Sequence, residues 1–381
     1  MKILVAGHIC LDIIPNIGHP VGTIQELVKP GGLTLVGPII LSPGGAVANV
    51  GVALNRLGVP VKLMGAVGSD PLGSLLDSLV KERCPDADVH WVIPPDSATS
   101  YTVILNPPDL DRAFLHHPGA NDCVNAGDFP VAEAADCGFC HFGYPTVMKR
   151  MFENEGAELL ILLDRLENLG IPVSLDVTLP DPTSEAGRLD WRRILAAALP
   201  HTTVFCPNLE EARGLLRMPH GGPEELAKAL VALGVPIAVL KLGADGLLLH
   251  TAPRGRHLAL IAKFGGDPAR WAGRRLYVPC FCVQAAGTTG AGDAATAGFL
   301  AALTSGRPPE DALAWAAATG AACVEAVDAT SGIPSWDLLQ NRIDKGWARG
   351  TPKPPLGWLP AASGCWKSPD DAADKLPHVP T

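Results

Sequence analysis

The sequence predicts an α/β fold in which a mostly parallel central sheet carries helices on both faces, with a small β lid beside it. Three observations predict this. Short β-rich runs alternate with helical patterns along the chain. The runs are apolar almost throughout, as strands covered on both faces are. Two stretches near the N-terminal third break the rhythm. The runs are ILVA at 3–6, VKLMGAVG at 61–68, GFCHFG at 138–143, IPVSLDV at 171–177, TTVFCPN at 202–208, PIAVLKLG at 236–243 and RLYVPCF at 275–281. Helical stretches fall between them, such as GAELLILLDRLENLG, which ends at Gly170 as a glycine just past a helix would.

Residues 13–43 are the first break, rich in Gly and Pro with one apolar run, LTLVGPIIL. Residues 101–117 are the second and read as a hairpin, YTVIL and RAFLHH joined by a PPDLD turn. Together they predict a small separate sheet. Alternate side chains of a strand point opposite ways, so Phe114 and His116 share one face and His117 takes the other. Residues 252–275 carry six Lys/Arg and one Asp and read as a solvated loop. The C-terminal tail is Pro-rich but holds Trp347, Trp358 and Trp366. Three Trp side chains are costly to leave in water, so part of the tail is expected to pack against the body or a neighbouring subunit.

Composition fits this fold and excludes others. Of 381 residues, 47% are apolar, 18% charged and 5% aromatic, which excludes global disorder. The length suits one large α/β domain or two small ones. Lys and Arg number 30 against 39 Asp and Glu, a net charge of −9. That balance argues against nucleic acid or an anionic membrane as main partner. A small anion is still allowed, because backbone N–H groups bind phosphate without net positive charge. The start, MKILVAGHICLD, is too short in apolar residues for a secretory signal, and no run approaches the ~18 that span a bilayer. The expected location is cytoplasmic. Ten cysteines are scattered rather than spaced as a disulfide framework. Cys137 and Cys140, with Cys280 and Cys282 far downstream, admit a Cys₄ zinc reading. Both pairs fall in strand-like runs, however, and the reading adopted is buried thiols packed as small hydrophobes.

The chemistry is concentrated after the last of the strand-like runs, in AAGTTGAGDAATAGFLAALTSG. Gly290, Ala291 and Gly292 are small enough to let backbone N–H groups converge, and a helix begins at about Asp293 and stops at Gly306. A glycine-rich turn entering a helix is an anion site. Asp293, next to any anion held there, makes sense as a base that takes a proton from a hydroxyl attacking a phosphate. Alone, it reads first as a charge that complements the helix dipole. Gly290-x-Gly292-x-x-Ala295 also matches a dinucleotide fingerprint, but the next element along the chain is another helix rather than a strand ending in an acid. No GxxxxGK[ST] occurs, which excludes a P-loop.

Near the N-terminus, LSPGGAVANVGVALNRLG places Gly44 and Gly45 before a helix with an apolar stripe of Val47, Val50, Leu54 and Leu57. Asn49 is off that stripe and in the first turn, so its amide can face whatever the two glycines admit. Asp12 lies just past the first strand, where open α/β sheets bind ligands. Asp and Asn together suit neighbouring hydroxyls, as on a sugar, although each alone is more often a turn or cap residue.

The two segments GGAVANVGVALNRLG and TTGAGDAATAGF resemble the signatures of the ribokinase-like (PfkB) carbohydrate and nucleoside kinases. VGSDPLGSLL, the GAN at 119–121, NLEE at 208–211 and KLGADG at 241–246 fall between them in family order. The resemblance covers roughly residues 1–340, with 341–381 as a C-terminal extension. It implies ATP-dependent transfer of the γ-phosphate to a sugar-like hydroxyl. Asp293 would be the catalytic base, and the anion hole would be built on Gly290, Ala291, Gly292 and Asp293. Asp12, Gly44, Gly45 and Asn49 would contact the substrate. Asn208 and Glu211 would organise Mg²⁺ through water, and Lys241, Gly243 and Gly246 would line the nucleotide. Residues 13–43 and 101–117 would be the lid, which in this family often pairs subunits and so allows a homodimer.

Three departures bear on the details. The family usually has Asp where this chain has Gly287, and that carboxylate helps hold a monovalent cation; weak or no K⁺ dependence is expected. The Asn common near the adenine pocket corresponds to Ala317. The Lys often found after the double glycine is Ala46, which leaves ribose as one acceptor among several. A sugar kinase is the first reading and a nucleoside kinase the second. A catalytically silent sugar or nucleotide sensor is the third, and Asp293 with the intact NxxE weighs against it.

Overall fold

The computed structural model describes residues 1–108, 110 and 112–372. In chain order the strands are β1 (Ile3–Gly7), β2 (Cys10–Pro15), β3 (Ile39–Gly44), β4 (Val61–Ala66), β5 (Asp88–Val92), β6 (Tyr101–Leu105), β7 (Ala113–His117) and β8 (Phe139–Gly143). They continue as β9 (Val173–Asp176), β10 (Val204–Phe205), β11 (Ile237–Lys241), β12 (Leu247–Thr251), β13 (Arg275–Val278), β14 (Leu359–Pro360) and β15 (Trp366–Lys367). Eleven of them form one sheet in the order β14-β15-β13-β12-β11-β10-β9-β8-β1-β4-β5. From β11 to β5 every pairing is parallel, and from β11 to β14 every pairing is antiparallel.

The parallel half is buried on both faces, which explains the continuous apolar runs. Along β1, Ile3 and Val5 enter one core while Leu4 and Ala6 enter the other. The first core takes Val50 and Leu54 of helix Gly45–Arg56, Leu300 of helix Ala291–Thr304 and Leu313 of helix Pro309–Cys323. The second takes Leu159 and Leu163 of helix Lys149–Asn168 and Leu230 of helix Pro223–Ala232. The backbone of the Lys149–Asn168 element is non-helical at Glu153–Gly156, which divides it in two; the second part is capped by Leu169, and Gly170 follows at φ +68°.

The two stretches that break the rhythm build a separate four-stranded sheet in the order β3-β2-β6-β7. Phe114 and His116 point into the cavity described below, while His117 packs against Tyr101, ring centroids 5.4 Å apart. Two positions of the hairpin turn, 109 and 111, lie outside the described residues, as does the end of the tail beyond 372.

Three expectations need correction. Residues 252–275 are not a solvated loop: short helices at Arg256–Ala259 and Pro268–Trp271 place Leu258, Ile261, Phe264 and Trp271 in the core. Cys280 and Cys282 are not on a strand, because β13 stops at Val278 before Pro279, which has no N–H for a ladder; Cys282 is exposed. The helix after the glycine-rich turn starts at Ala291, two residues before the expected position.

The tail folds back on the body. β15 pairs with β13, Trp358 and Cys365 are buried, and Asp371 accepts from Arg274 Nε at 2.8 Å and Arg275 N at 2.7 Å. Arg274 also donates to Glu310, so the insertion, the tail and helix Pro309–Cys323 meet at one buried guanidinium. Removing one partner of a buried pair strands the other charge, at roughly 3–5 kcal/mol. Asp371→Ala is therefore expected to lower the urea midpoint by an amount corresponding to about 3 kcal/mol. A midpoint equal to that of the unaltered protein would contradict this account of the tail.

Candidate active site

A single cavity of about 1480 Å³ runs between the small sheet and the edges of the large one. Twelve of the thirteen positions singled out from the sequence line it: Asp12, Gly45, Asn49, Asn208, Glu211, Lys241, Gly243, Gly246, Gly290, Ala291, Gly292 and Asp293. Gly44 is the exception. It stands against Asp12, where a Cβ would come within 2.2 Å of the carboxylate.

Local backbone geometry explains both glycine-rich starts. Gly45 has φ +79°, and a Cβ there would meet His8 Nδ1 at 2.6 Å. Helix Gly45–Arg56 starts at that residue, so Asn49 falls in its second turn rather than the first. Gly290 has φ +75° and turns the chain into helix Ala291–Thr304, and no side chain caps that helix. Its first-turn N–H groups and dipole end form a positive surface that favours an anion.

Asp293 is 4% exposed and held on both oxygens. Asn49 Nδ2 donates to Oδ2 at 2.8 Å, and the Tyr144 hydroxyl donates to Oδ1 at 2.6 Å. Tyr144 follows β8 in a left-handed conformation, φ 64°, which L-residues other than glycine seldom adopt. Its burial, with the Asp293 charge, pushes its phenol well above the usual range. It stays a donor.

On the other side of Gly292 lies a buried charge cluster. Lys241, at the end of β11, donates to Asp176 Oδ2 at 2.8 Å and Oδ1 at 3.2 Å, and Thr296 Oγ1 donates to the same carboxylate. Burial alone would lower Lys241, but Asp176, Glu211 and Asp293 outweigh it and push it up. Asn208 and Glu211 form a reciprocal capping box on helix Leu209–Leu216, with bonds of 2.9 Å and 2.7 Å. Burial pushes the Glu211 carboxyl up to about 8, with Lys241 opposing and Asp176 adding to the rise. Gly243 and Gly246 bracket the turn between β11 and β12.

At the opposite end, Asp12 on β2 is pushed up to about 7 by burial, with a bond from Cys10 opposing and the Asp293 charge adding. His8 packs against His116 with ring centroids 5.1 Å apart. It is driven down to about 3 by burial and then by His116. Arg112, beside the small sheet, donates to Thr289 Oγ1 at 2.5 Å and so ties that sheet to the glycine-rich turn.

Tyr144 and Asp176 were not singled out from the sequence. Each sits at the C-terminal end of a parallel strand, where such sheets bind ligands, and that rule could have found both.

A carboxylate fixed at the uncapped start of a helix, within one cavity that also holds Asp12 and Asn49, is an arrangement that suits phosphoryl transfer to an alcohol. The profile of the pfkB family carbohydrate kinases matches residues 2–336. The chain belongs to that family. It is a phosphotransferase with an alcohol group as acceptor, and an ATP-binding one. The aminoimidazole riboside kinase of Salmonella typhimurium is 29% identical over 310 residues, 78% of this chain and 86% of that protein. The fructokinase with bound ATP from Xylella fastidiosa has a TM-score of 0.69 at 21% identity, covering 90% of this chain and 98% of that one. A ribokinase II from E. coli in complex with ATP and Mg²⁺ has a TM-score of 0.67 at 20% identity, over 90% and 99%. Both structures share the kinase fold. Among the described residues no helix is long and apolar enough to cross a membrane.

The raised Asp12 carboxyl has a stability consequence. Its folded value of about 7 lies above the usual 3.8, so the folded state holds the proton more tightly and stability falls as pH rises through that window. Asp12→Asn, which mimics the protonated form, is expected to match the unaltered enzyme near pH 4. At pH 8 it should be more stable by roughly 2–4 kcal/mol. Denaturant midpoints at the two pH values check this, and an equal difference at both would contradict it.

Proposed function

We propose that the enzyme transfers the γ-phosphate of ATP to a hydroxyl of a sugar or sugar-like acceptor, with Asp293 as general base. The observation that supports this best is the position of Asp293. It stands between the uncapped start of helix Ala291–Thr304 and the Asp12–Asn49 end of the cavity, fixed by Asn49 and Tyr144. The acceptor hydroxyl gives its proton to the Asp293 carboxylate as its oxygen bonds to the γ-phosphorus. The bond to the bridging β–γ oxygen breaks, and ADP leaves. The N–H groups of Ala291, Gly292 and Asp293 face the charge that develops. Asp12 and Asn49 hold neighbouring hydroxyls, with Gly45 giving the acceptor close access to the backbone. Lys241, Gly243 and Gly246 lie along the nucleotide.

In this reading Mg²⁺ is held through water, because Mg²⁺ prefers to keep waters and substrate phosphates. Glu211 is a buried carboxyl whose ionisation a neighbouring cation would restore. With Asn208 it would hold the ion's waters. When bound, the ion neutralises charge on the transferring group.

The small sheet acts in this reading as a lid that excludes water, with Arg112 on Thr289 holding it down. Residues 1–340 form the kinase unit. A monovalent cation has little effect, because Gly287 supplies no carboxylate. A Cβ there would already meet Val327 O at 2.9 Å and Ala326 O at 3.0 Å. A nucleoside acceptor is the second reading, favoured by the aromatic wall of Phe114 and His116 beside Asp12.

ADP release over a panel of sugars and nucleosides, with and without KCl, tests the proposal. Turnover with at least one sugar or riboside is expected, changing less than about twofold with K⁺. Tight binding of ATP and a sugar with no turnover on any acceptor would make the protein a sensor and overturn the reading. A strong, saturable K⁺ activation would overturn the cation inference alone.

A further inference from the structure

Beyond Gly292 the cavity ends in an apolar slot lined by Leu247, Phe281, Val283, Ala317, Ala321 and Val324. These six side chains carry no charge, which suits a heteroaromatic base. One wall is the loop that follows β13, and the backbone of that loop is taken up by the tail. Phe281 bridges Arg349 in antiparallel fashion, Cys282 N donates to Ala348 O at 2.8 Å, and Gly350 N donates to Cys280 O at 2.8 Å. The indole of Trp347 donates to Cys282 O at 2.9 Å.

The side chains form a column over the same loop. Trp347 stacks on Phe281 with centroids 4.5 Å apart and planes at 26°. The Arg349 guanidinium lies 4.0 Å from the Phe281 ring, and that of Arg342 lies 3.6 Å from the Trp347 ring. Phe281 is thereby held at 4% exposure, and it lines the slot. The strap continues to the neighbouring turn. Lys353 N donates to the Tyr277 hydroxyl at 3.0 Å, Lys353 Nζ pairs with Asp245 at 2.6 Å, and the Tyr277 hydroxyl donates to Asp245 O at 2.6 Å. Both walls flanking the slot, 280–283 and 243–247, are thus held by seven residues beyond the family match, which ends at 336.

We infer that Trp347–Lys353 is a positioning strap that sets the base-binding end of the nucleotide site, acting through Phe281. This rests on the proposed placement of the ATP phosphates at Gly290–Asp293. From that placement, the slot is where the base lies. Trp347, Arg349 and Lys353 are positioning residues; Phe281 is the one that would touch the nucleotide.

The test uses the full chain. The dissociation constant of MgATP is measured by titration calorimetry, and kcat and both KM values by ADP release, for Trp347→Ala, Trp347→Phe and Arg349→Ala. Trp347 and Arg349 are both half-buried, and thermal unfolding checks that each variant is folded. Trp347→Ala and Arg349→Ala are expected to weaken ATP binding roughly 3- to 10-fold, the worth of one aromatic or cation–π contact. KM for the acceptor and kcat should stay within about twofold, and Trp347→Phe should recover most of the loss. If ATP binds folded Trp347→Ala and Arg349→Ala as tightly as the unaltered enzyme, the strap assignment is wrong. Equal losses for ATP and acceptor also overturn it, because they mark a general loosening. Should Trp347→Ala not fold, Arg349→Ala decides by the same readout. An unaltered enzyme that binds no ATP would instead sink the functional reading, and the strap with it.

Discussion

Asn49 and Asp293 are 244 positions apart in the chain and share one hydrogen bond of 2.8 Å. That bond joins the starts of helices Gly45–Arg56 and Ala291–Thr304, each of which begins at a glycine-rich turn facing the cavity. Without it the carboxylate would keep only the Tyr144 hydroxyl and could rotate away from the acceptor. The arrangement demands much around it. Gly45 must be bare because His8 occupies the space a Cβ would need. Gly290 must be bare because Ala329 stands 2.4 Å from where its Cβ would be.

The cavity concentrates ionisable groups that a stable core would avoid. Asp12, Asp176, Glu211, Lys241 and Asp293 all line or back it, and of these five only Lys241 is positive. Burial raises Asp12 to about 7 and Glu211 to about 8, which makes the unliganded site electrostatically expensive. In the proposed function, ligands that bring hydroxyl donors to Asp12 and cations to Glu211 relieve that cost. The net charge of −9 fits the proposed function, in which backbone N–H groups and substrate-borne cations rather than a basic surface meet the phosphates.

Much of this was legible in the sequence because the decisive features are local. A glycine that must take a positive φ and a helix that follows it are written within a few residues, so both turns could be placed. Seven of the eleven strands in the large sheet stood out as apolar runs. β12 did not, because a turn of only five residues separates it from β11 and no helical pattern marks the crossing. The insertion was misread because its six basic residues hid Leu258, Ile261, Phe264 and Trp271, whose burial depends on a surface supplied from elsewhere. Tyr144 and Asp176 were missed for a related reason. Nothing in their own neighbourhood sets them apart, and their meaning comes from where parallel strands end.

The central claim is that the Asp293 carboxylate takes the acceptor proton. The most direct measurement compares Asp293→Asn with the unaltered enzyme in two quantities, kcat with a competent acceptor and the dissociation constant of MgATP. The amide keeps the size of the group and its contact with the Tyr144 hydroxyl, but cannot accept the proton. The account predicts a fall in kcat of roughly 10²- to 10⁴-fold with ATP affinity changed by less than about threefold. A variant that turns over at the unaltered rate would contradict it.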